Sequence, residues 1–373
     1  MSRPIRVLHV IGNMNRGGAE SFMMSLYNAI DRTRVQFDFV VHTSEKCGYD
    51  DEIRQLGGMI YRVPRFRVFN LFAYIRAWRR FFAEHGGKYD IVHGHIGSSA
   101  AIYLQIAKKA GCRTIAHSHG TKSERLSLKS LLSAFFVYPT RYIADMFFAC
   151  SAQAGIDRYG KTIIQKNNFK IINNAIDTKK FAFNAEAREL KRKELGIGNC
   201  FVIGHVGRMS AEKNHMFILN IFKEIRAKNK NAMLLLVGDG AMRKEIEAYA
   251  KLLGLDDYII FTGVCLNINE LLWAMDAFVF PSLWEGLGIA LIEAQAAGLF
   301  CVCSDAVPPE ARASDLLEYI SLDDSANHWA DRVLAAHALD NEKPSRHHAY
   351  KSVADSGYEI VDVAKNLAKI YEG

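Results

Sequence analysis

Short apolar runs recur along the chain, and each pair is separated by a stretch with helical spacing. Residues 6–11, Arg-Val-Leu-His-Val-Ile, form a nearly unbroken apolar run that ends in a glycine-rich turn. That is the pattern of a strand buried on both faces. Comparable runs follow at 37–41, 59–63, 91–93, 114–116, 146–150 and 170–172. Alternating β and α patterns predict an α/β fold with a parallel, doubly wound sheet. Residues 173–177, Asn-Asn-Ala-Ile-Asp, break the rhythm, and a charged helical stretch follows at 186–194. The alternation then restarts, with strands expected at 201–206, 232–237, 258–261, 277–280 and 300–303. Two successive Rossmann-like units are expected, spanning 1–180 and 181–348 and joined near Phe181. Residues 350–371 return to helical periodicity, and no short repeat or low-complexity tract interrupts the chain.

Composition adds little to this picture, but charge does. Half of the 373 residues are hydrophobic, as in ordinary globular proteins. No apolar run approaches the ~18 residues of a membrane span. The N-terminus enters a strand pattern at once, so no signal peptide is expected. The seven cysteines form no C-x2-C pair, and Cys301 and Cys303 alternate as though sharing one buried strand face. This points to a reduced, cytoplasmic protein. Residues 1–180 hold 27 Lys and Arg against 13 Asp and Glu, a balance of +14, and the remainder carries −7. Such asymmetry suggests an anionic surface as partner for the first half, although one basic solvated face gives the same count. Arginines and aromatics are interleaved over 62–82 at a spacing that suits a helix lying in a membrane interface. A helix that turns its rings to the core and its arginines to water fits the same residues.

Four groups of residues are candidates for chemistry. The first is Glu285 and Glu293, within Pro281-Ser-Leu-Trp-Glu-Gly-Leu-Gly-Ile-Ala-Leu-Ile-Glu-Ala294. Gly286 and Gly288 permit a tight turn and close approach of the backbone to a ligand. The helix expected over 291–297 presents N–H groups without partners, a ready anion site. Arg208 and Lys213 form the second group, just beyond the strand 201–206. Open α/β sheets bind ligands at that edge, and both cations suit phosphate oxygens. Third, Gly17 and Gly18 follow the first strand; the longer G-x-G-x-x-G fingerprint is absent, which argues against NAD. Fourth, His117 and His119 end a strand; a metal reading needs further ligands, and none stands near them in sequence. Gly238-Asp239-Gly240 and the residues at 261–264 read as turns after strands of the second half.

Taken with its Pro-Ser lead and both glycines, the Glu285–Glu293 segment resembles the signature of retaining, nucleotide-sugar-dependent glycosyltransferases of family 4, which have the GT-B fold. The resemblance runs from about Arg6 to Val307 and is strongest to bacterial capsular and exopolysaccharide enzymes. It implies two Rossmann-like domains facing across a cleft, with residues 349–373 as a helix that crosses back onto the first. By resemblance, Arg208 and Lys213 hold the nucleotide diphosphate as it leaves. Gly17, Gly18, Gly286, Leu287, Gly288 and Glu293 bind the donor, and Glu285 and a histidine at the end of 114–116 serve the reacting centre. Register favours His119 over His117 for that histidine. The implied donor is a UDP-sugar, and the acceptor is a glycan or lipid-linked glycan of surface polysaccharide synthesis. No D-x-D occurs, so no metal and no other cofactor is expected, nor any nucleic acid partner. Several family members work at the membrane surface, which implies peripheral association with the inner face of the cytoplasmic membrane. Three departures stand out. Asn174 replaces a usual glycine, with a side chain that tolerates positive φ. Phe300 stands where proline is frequent, and the residues before Glu310 lack a glycine pair, leaving Glu310 without a role. A nucleotide-sugar epimerase of the same fold, or a non-catalytic subunit of a polysaccharide assembly complex, fits the same architecture. An epimer formed without acceptor, or donor binding without turnover, would identify either.

Overall fold

The computed structural model describes residues 3–15, 17–120, 136–338 and 346–373, with backbone alone at 336–338. The chain divides into two compact units. One comprises Met1–Ala175 with Ile360–Gly373, and the other Ile176–Glu359.

The first unit is built on seven strands: β1 Ile5–Ile11, β2 Val35–Val41, β3 Ile60–Arg62, β4 Ile91–Gly94, β5 Arg113–Ser118, β6 Met146–Ala149 and β7 Phe169–Ile171. Their order is β3-β2-β1-β4-β5-β6-β7, and every pairing is parallel. Helices cover both faces, so the central strands are almost wholly buried, as their apolar runs require. Asp38 interrupts β2 yet is fully buried. Burial acts to raise its carboxyl, but the Arg6 guanidinium at 2.7 Å, the Met59 N–H and the Tyr89 hydroxyl hold it below its ordinary value.

The segment rich in arginine and aromatics forms the helix Leu71–His85. Tyr74, Trp78, Phe81 and Phe82 face inward and pack with Tyr103 in the core. Phe69 and Phe72 lie outside, 83% and 84% exposed, beside exposed Arg65, Arg67, Arg76 and Arg79. The helix therefore serves the core with one side, while Phe72 on it and Phe69 in the turn just before it expose their rings among cations.

The second unit holds β8 Phe201–Val206, β9 Ala232–Val237, β10 Ile259–Gly263, β11 Ala277–Phe280, β12 Phe300–Ser304 and β13 Leu317–Ile320, in the order β10-β9-β8-β11-β12-β13. It repeats the three-two-one-four-five-six winding of dinucleotide-binding sheets. Cys301 and Cys303 are both buried on β12. The charged helix Ala185–Glu194 is anchored rather than floating: Arg188 donates to the Trp273 and Met275 carbonyls, and both Arg188 and Arg192 pair with Asp276. β13 is absent from the sequence expectations, because Leu-Glu-Tyr-Ile buries only its ends.

The helical periodicity over 350–371 resolves into two helices, Ala349–Val353 and Ile360–Glu372. Between them Gly357 takes φ +89°, a turn that other residues adopt only with strain. The second of these helices packs within the first unit. Arg113 donates to the Ile370 and Tyr371 carbonyls, and Arg34 pairs with Glu372 at 2.5 Å.

Candidate active site

β8 and β11 are neighbours in the second sheet although β9, β10 and the helices around them lie between the two in the chain. The chain order reverses there, and α/β sheets of this kind open a ligand crevice at the carboxyl end of such strands. Arg208 and Lys213 follow β8, and Glu285 follows β11, so the two sequence-predicted groups meet at this point. Lys213 Nζ lies 2.5 Å from Glu285 Oε1, and both side chains are more than four-fifths buried. The ammonium also sits 4.6 Å from the centre of the Phe280 ring. A charge-assisted contact in a sheltered site is stronger than the same pair on a surface. The Leu283 N–H donates to the Glu212 carbonyl at 2.8 Å and ties the two loops together.

Backbone geometry fixes where these side chains emerge. After β8 a short turn, Ala211–Lys213, ends at Asn214 in the left-handed region, φ 55° and ψ 44°, and the helix His215–Lys228 starts. The turn after β9 lies directly on this loop. A Cβ on Gly238 would stand 2.1 Å from the Gly207 carbonyl oxygen, and one on Gly240 would stand 2.4 Å from that of Met209. Gly238 moreover has φ +131°. The Met209 N–H donates to the Asp239 carbonyl, and the Gly238 N–H to that of Gly263. The Gly238-Asp239-Gly240 segment is thus a structural clamp on the Arg208 loop. Arg208 itself is exposed, and among the described residues no hydrogen bond or ion pair engages its guanidinium.

Gly286, Leu287 and Gly288 lead from Glu285 into the helix Ile289–Ala296, two residues ahead of the helix start read from the sequence. Gly288 caps this helix with φ +87°, and a Cβ there would press on the Phe280 ring at 3.3 Å. Leu287 is buried. Glu293 lies in the helix interior. Burial raises its carboxyl to about 7, partly opposed by the charge of Lys180. Among the described residues no hydrogen bond satisfies it. Its side chain is half-buried, and a sheltered carboxylate without a hydrogen-bond partner is costly; function is the usual reason for keeping one.

In the first unit, Gly17 caps the helix Gly18–Ala29. The Glu20 carboxylate folds back over this end, occupying the space a Cβ on Gly17 would need. His119 lies at the end of β5, half-buried, and His117 lies one step inside and buried. The fold adds three histidines that stand apart from them in sequence. His95 Nδ1 lies 2.7 Å from His119 Nε2, His95 Nε2 3.0 Å from His9 Nδ1, and His93 Nε2 3.1 Å from His117 Nδ1. Burial lowers all five, His9 to about 3 and His119 to about 4, so the rings are neutral at ordinary pH. The expectation that no further ligands stand near His117 and His119 is therefore corrected by the fold. The signal was present as H-x-H at 93 and 95 repeated at 117 and 119, on adjacent parallel strands whose pairing sets His93 opposite Ile115 and so offsets the two motifs by two residues.

Asn174 needs no positive φ: among the described non-glycine residues only Asn214 has one. The Asn174 side chain is buried, and its turn is made without left-handed backbone. Glu310 lies in the short turn Pro309–Ala311, where its carbonyl accepts from the Tyr358 hydroxyl at 2.6 Å.

Comparison with known proteins gives the family. The family profile described as Glycosyltransferase Family 4 matches residues 16–180, and that described as Glycosyl transferases group 1 matches 200–338. EpsF of Bacillus subtilis (strain 168) is 33% identical over 376 residues, covering 98% of this chain and 96% of its own. The UDP-Gal:alpha-D-GlcNAc-diphosphoundecaprenol alpha-1,3-galactosyltransferase of Escherichia coli is 29% identical over 226 residues, 58% of each chain. Among solved structures, Anabaena HepE in complex with UDP-glucose superimposes with a TM-score of 0.82 at 17% identity, over 99% of both chains. Fold and relatives converge: the chain belongs to glycosyltransferase family 4 and has the GT-B fold.

Proposed function

We propose that the chain is a retaining glycosyltransferase that moves a sugar from a UDP-sugar to a glycan or lipid-linked glycan in bacterial surface polysaccharide synthesis. The observation that carries this reading is the Lys213–Glu285 contact at the switch point of the second sheet, with Glu293 on the helix that leaves the same loop. In the proposed reaction the bond from the sugar C1 to the diphosphate oxygen breaks, and its electron pair stays on the diphosphate. The acceptor oxygen bonds C1 on the same face, and its proton passes to the departing phosphate. Arg208, Lys213 and the N–H groups at the start of Ile289–Ala296 stabilise the developing charge, a preorganised electrostatic role. Glu285 holds the Lys213 ammonium in place, and Glu293 accepts hydrogen bonds from the ribose hydroxyls. His119 is proposed as the catalytic histidine of the first unit. HepE, solved with UDP-glucose, and the Escherichia coli relative, named for UDP-Gal and a diphosphoundecaprenol-linked sugar, support the choice of donor and acceptor class. Among the described residues no helix is long and apolar enough to cross a membrane. Contact with a lipid-linked acceptor is therefore proposed to be peripheral, at the inner face of the cytoplasmic membrane.

Transfer from a panel of UDP-sugars to diphosphoundecaprenol-linked sugars, run in excess EDTA, tests the proposal. The expected product keeps the α configuration of the donor by its anomeric proton coupling. Lys213→Ala should lower kcat by ~10²-fold or more, beyond any rise in KM. An inverted product overturns retention. Abolition by EDTA with rescue by Mg²⁺ or Mn²⁺ overturns metal independence. An isomerised UDP-sugar without acceptor makes the protein an epimerase instead.

A further inference from the structure

Glycosyl transfer as read above gives no task to His9, His93, His95 or His117, yet the fold gathers them with His119 at the ends of three adjacent strands. We propose that His95, His117 and His119 form a binding site for one divalent transition-metal ion of the Zn²⁺ class, with His9, His93 and Tyr371 as its supporting partners.

The geometry of the ring nitrogens carries the proposal. Each of the three residues can bring one nitrogen within 4.8 Å of the other two. The opposite nitrogens of His95 and His117 are already engaged, whereas His119 Nδ1 is buried with no hydrogen-bond partner among the described residues. His95 Nε2 meets His9 Nδ1 at 3.0 Å, His117 Nδ1 meets His93 Nε2 at 3.1 Å, and His93 Nδ1 meets the Tyr371 hydroxyl at 2.7 Å. A histidine that binds a metal almost always directs its second nitrogen at such a partner, which fixes its tautomer. His95 Nδ1, His117 Nε2 and His119 Nε2 are then left to face one another. His117 Nε2 is buried with no hydrogen-bond partner among the described residues. A ligand there would remove the cost of leaving it unmet. The 2.7 Å contact between His95 Nδ1 and His119 Nε2 is a hydrogen bond in which one ring donates its proton to the other. Replacing that proton by Zn²⁺ with nitrogens at 2.0–2.1 Å opens the pair to roughly 3.3 Å, a shift of about 0.6 Å.

A second triple, His9, His93 and His95, is equally compact. It is less suited, because both nitrogens of His93 are bonded to groups outside that triple, Tyr371 and His117, and His9 and His93 are buried. His95 and His119 are half-buried and give the outer triple an entry path. Three imidazoles without a carboxylate favour Zn²⁺, Cu²⁺ and Ni²⁺ over Mg²⁺, Ca²⁺ and Mn²⁺. Three protein ligands leave a fourth position open. The guanidinium of Arg158 opposes added positive charge near His119, which moderates the affinity.

Co²⁺ titration of the metal-free wild-type protein, followed by visible absorption with Zn²⁺ in competition, tests the site. One equivalent should bind with a tetrahedral, nitrogen-ligated spectrum and no thiolate charge-transfer band. His95→Gln and His117→Gln should each weaken binding by about tenfold or more. Cys200→Ser and Cys265→Ser, at the two half-exposed thiols, should leave it unchanged. A thiolate band, or unaltered affinity in both histidine variants, overturns the proposal. Should either glutamine variant fail to fold, the wild-type protein decides alone. One equivalent of Zn²⁺ must shift the imidazole ¹⁵N resonances of His95, His117 and His119, and their constancy overturns the site.

Discussion

Glu293 carries a carboxyl that burial lifts to about 7 from an ordinary 4.5. A group raised in this way binds its proton more tightly in the folded than in the unfolded chain. Stability therefore falls as pH rises from about 4.5 to about 7, and the cost is fully present above that window. Glu293→Gln removes the titration. The variant should match wild type in stability near pH 4 and exceed it by ~1–3 kcal/mol at pH 8. The same variant should bind UDP more weakly at pH 8, because an amide accepts fewer hydrogen bonds than a carboxylate. Thermal denaturation at the two pH values and calorimetry with UDP check both halves. Equal stability at pH 8 would show that the carboxylate is better solvated than its position implies. Unchanged UDP affinity would remove Glu293 from the donor site. Residues that serve a ligand are commonly placed at the expense of the free protein.

The loops after β8, β9 and β11 act as one piece, and the glycines of the β9 turn make this possible. Gly238→Ala puts a methyl group against the Gly207 carbonyl at a backbone angle that disfavours any side chain. It should destabilise the second unit by ~3 kcal/mol or more and displace Arg208. Gly254→Ala also meets positive φ, at +68°, but open space around it. It should cost only about 1 kcal/mol and leave UDP binding intact, as thermal melts and calorimetry of the pair would show. The strands that build these loops were readable from sequence because parallel strands buried on both faces are continuous apolar runs. Lys213 and Glu285 were readable as candidates, since each follows such a run. Their contact was not, because strand order in a sheet is not written in strand sequence. β13 escaped notice for the converse reason: a half-buried edge strand leaves little apolar signal. The histidine cluster needed both register and order, as His9 comes from a strand more than eighty residues before His93.

Charge and connectivity belong to the scale of the whole molecule. The +14 balance of residues 1–180 accompanies the exposed Phe69 and Phe72 and the arginines around them. Vesicles containing anionic lipid should sediment the protein at low salt and release it as salt screens the cations. Changing Arg65, Arg67, Arg76 and Arg79 to Glu should abolish sedimentation, while the inward Tyr74 and Trp78 keep the helix folded. Wild-type protein that stays in the supernatant would favour a soluble acceptor. The helix Ile360–Glu372 has a consequence of another kind. It completes the first unit, through Tyr371 against His93 and Arg113 against the helix end, yet all of Ile176–Glu359 is synthesised before it. At ribosomal rates those intervening residues take roughly 10–40 s to emerge. Through that interval the first sheet stands with the seat of its closing helix bare, so the half of the enzyme that is made first is the half that must wait for a chaperone or for its own tail.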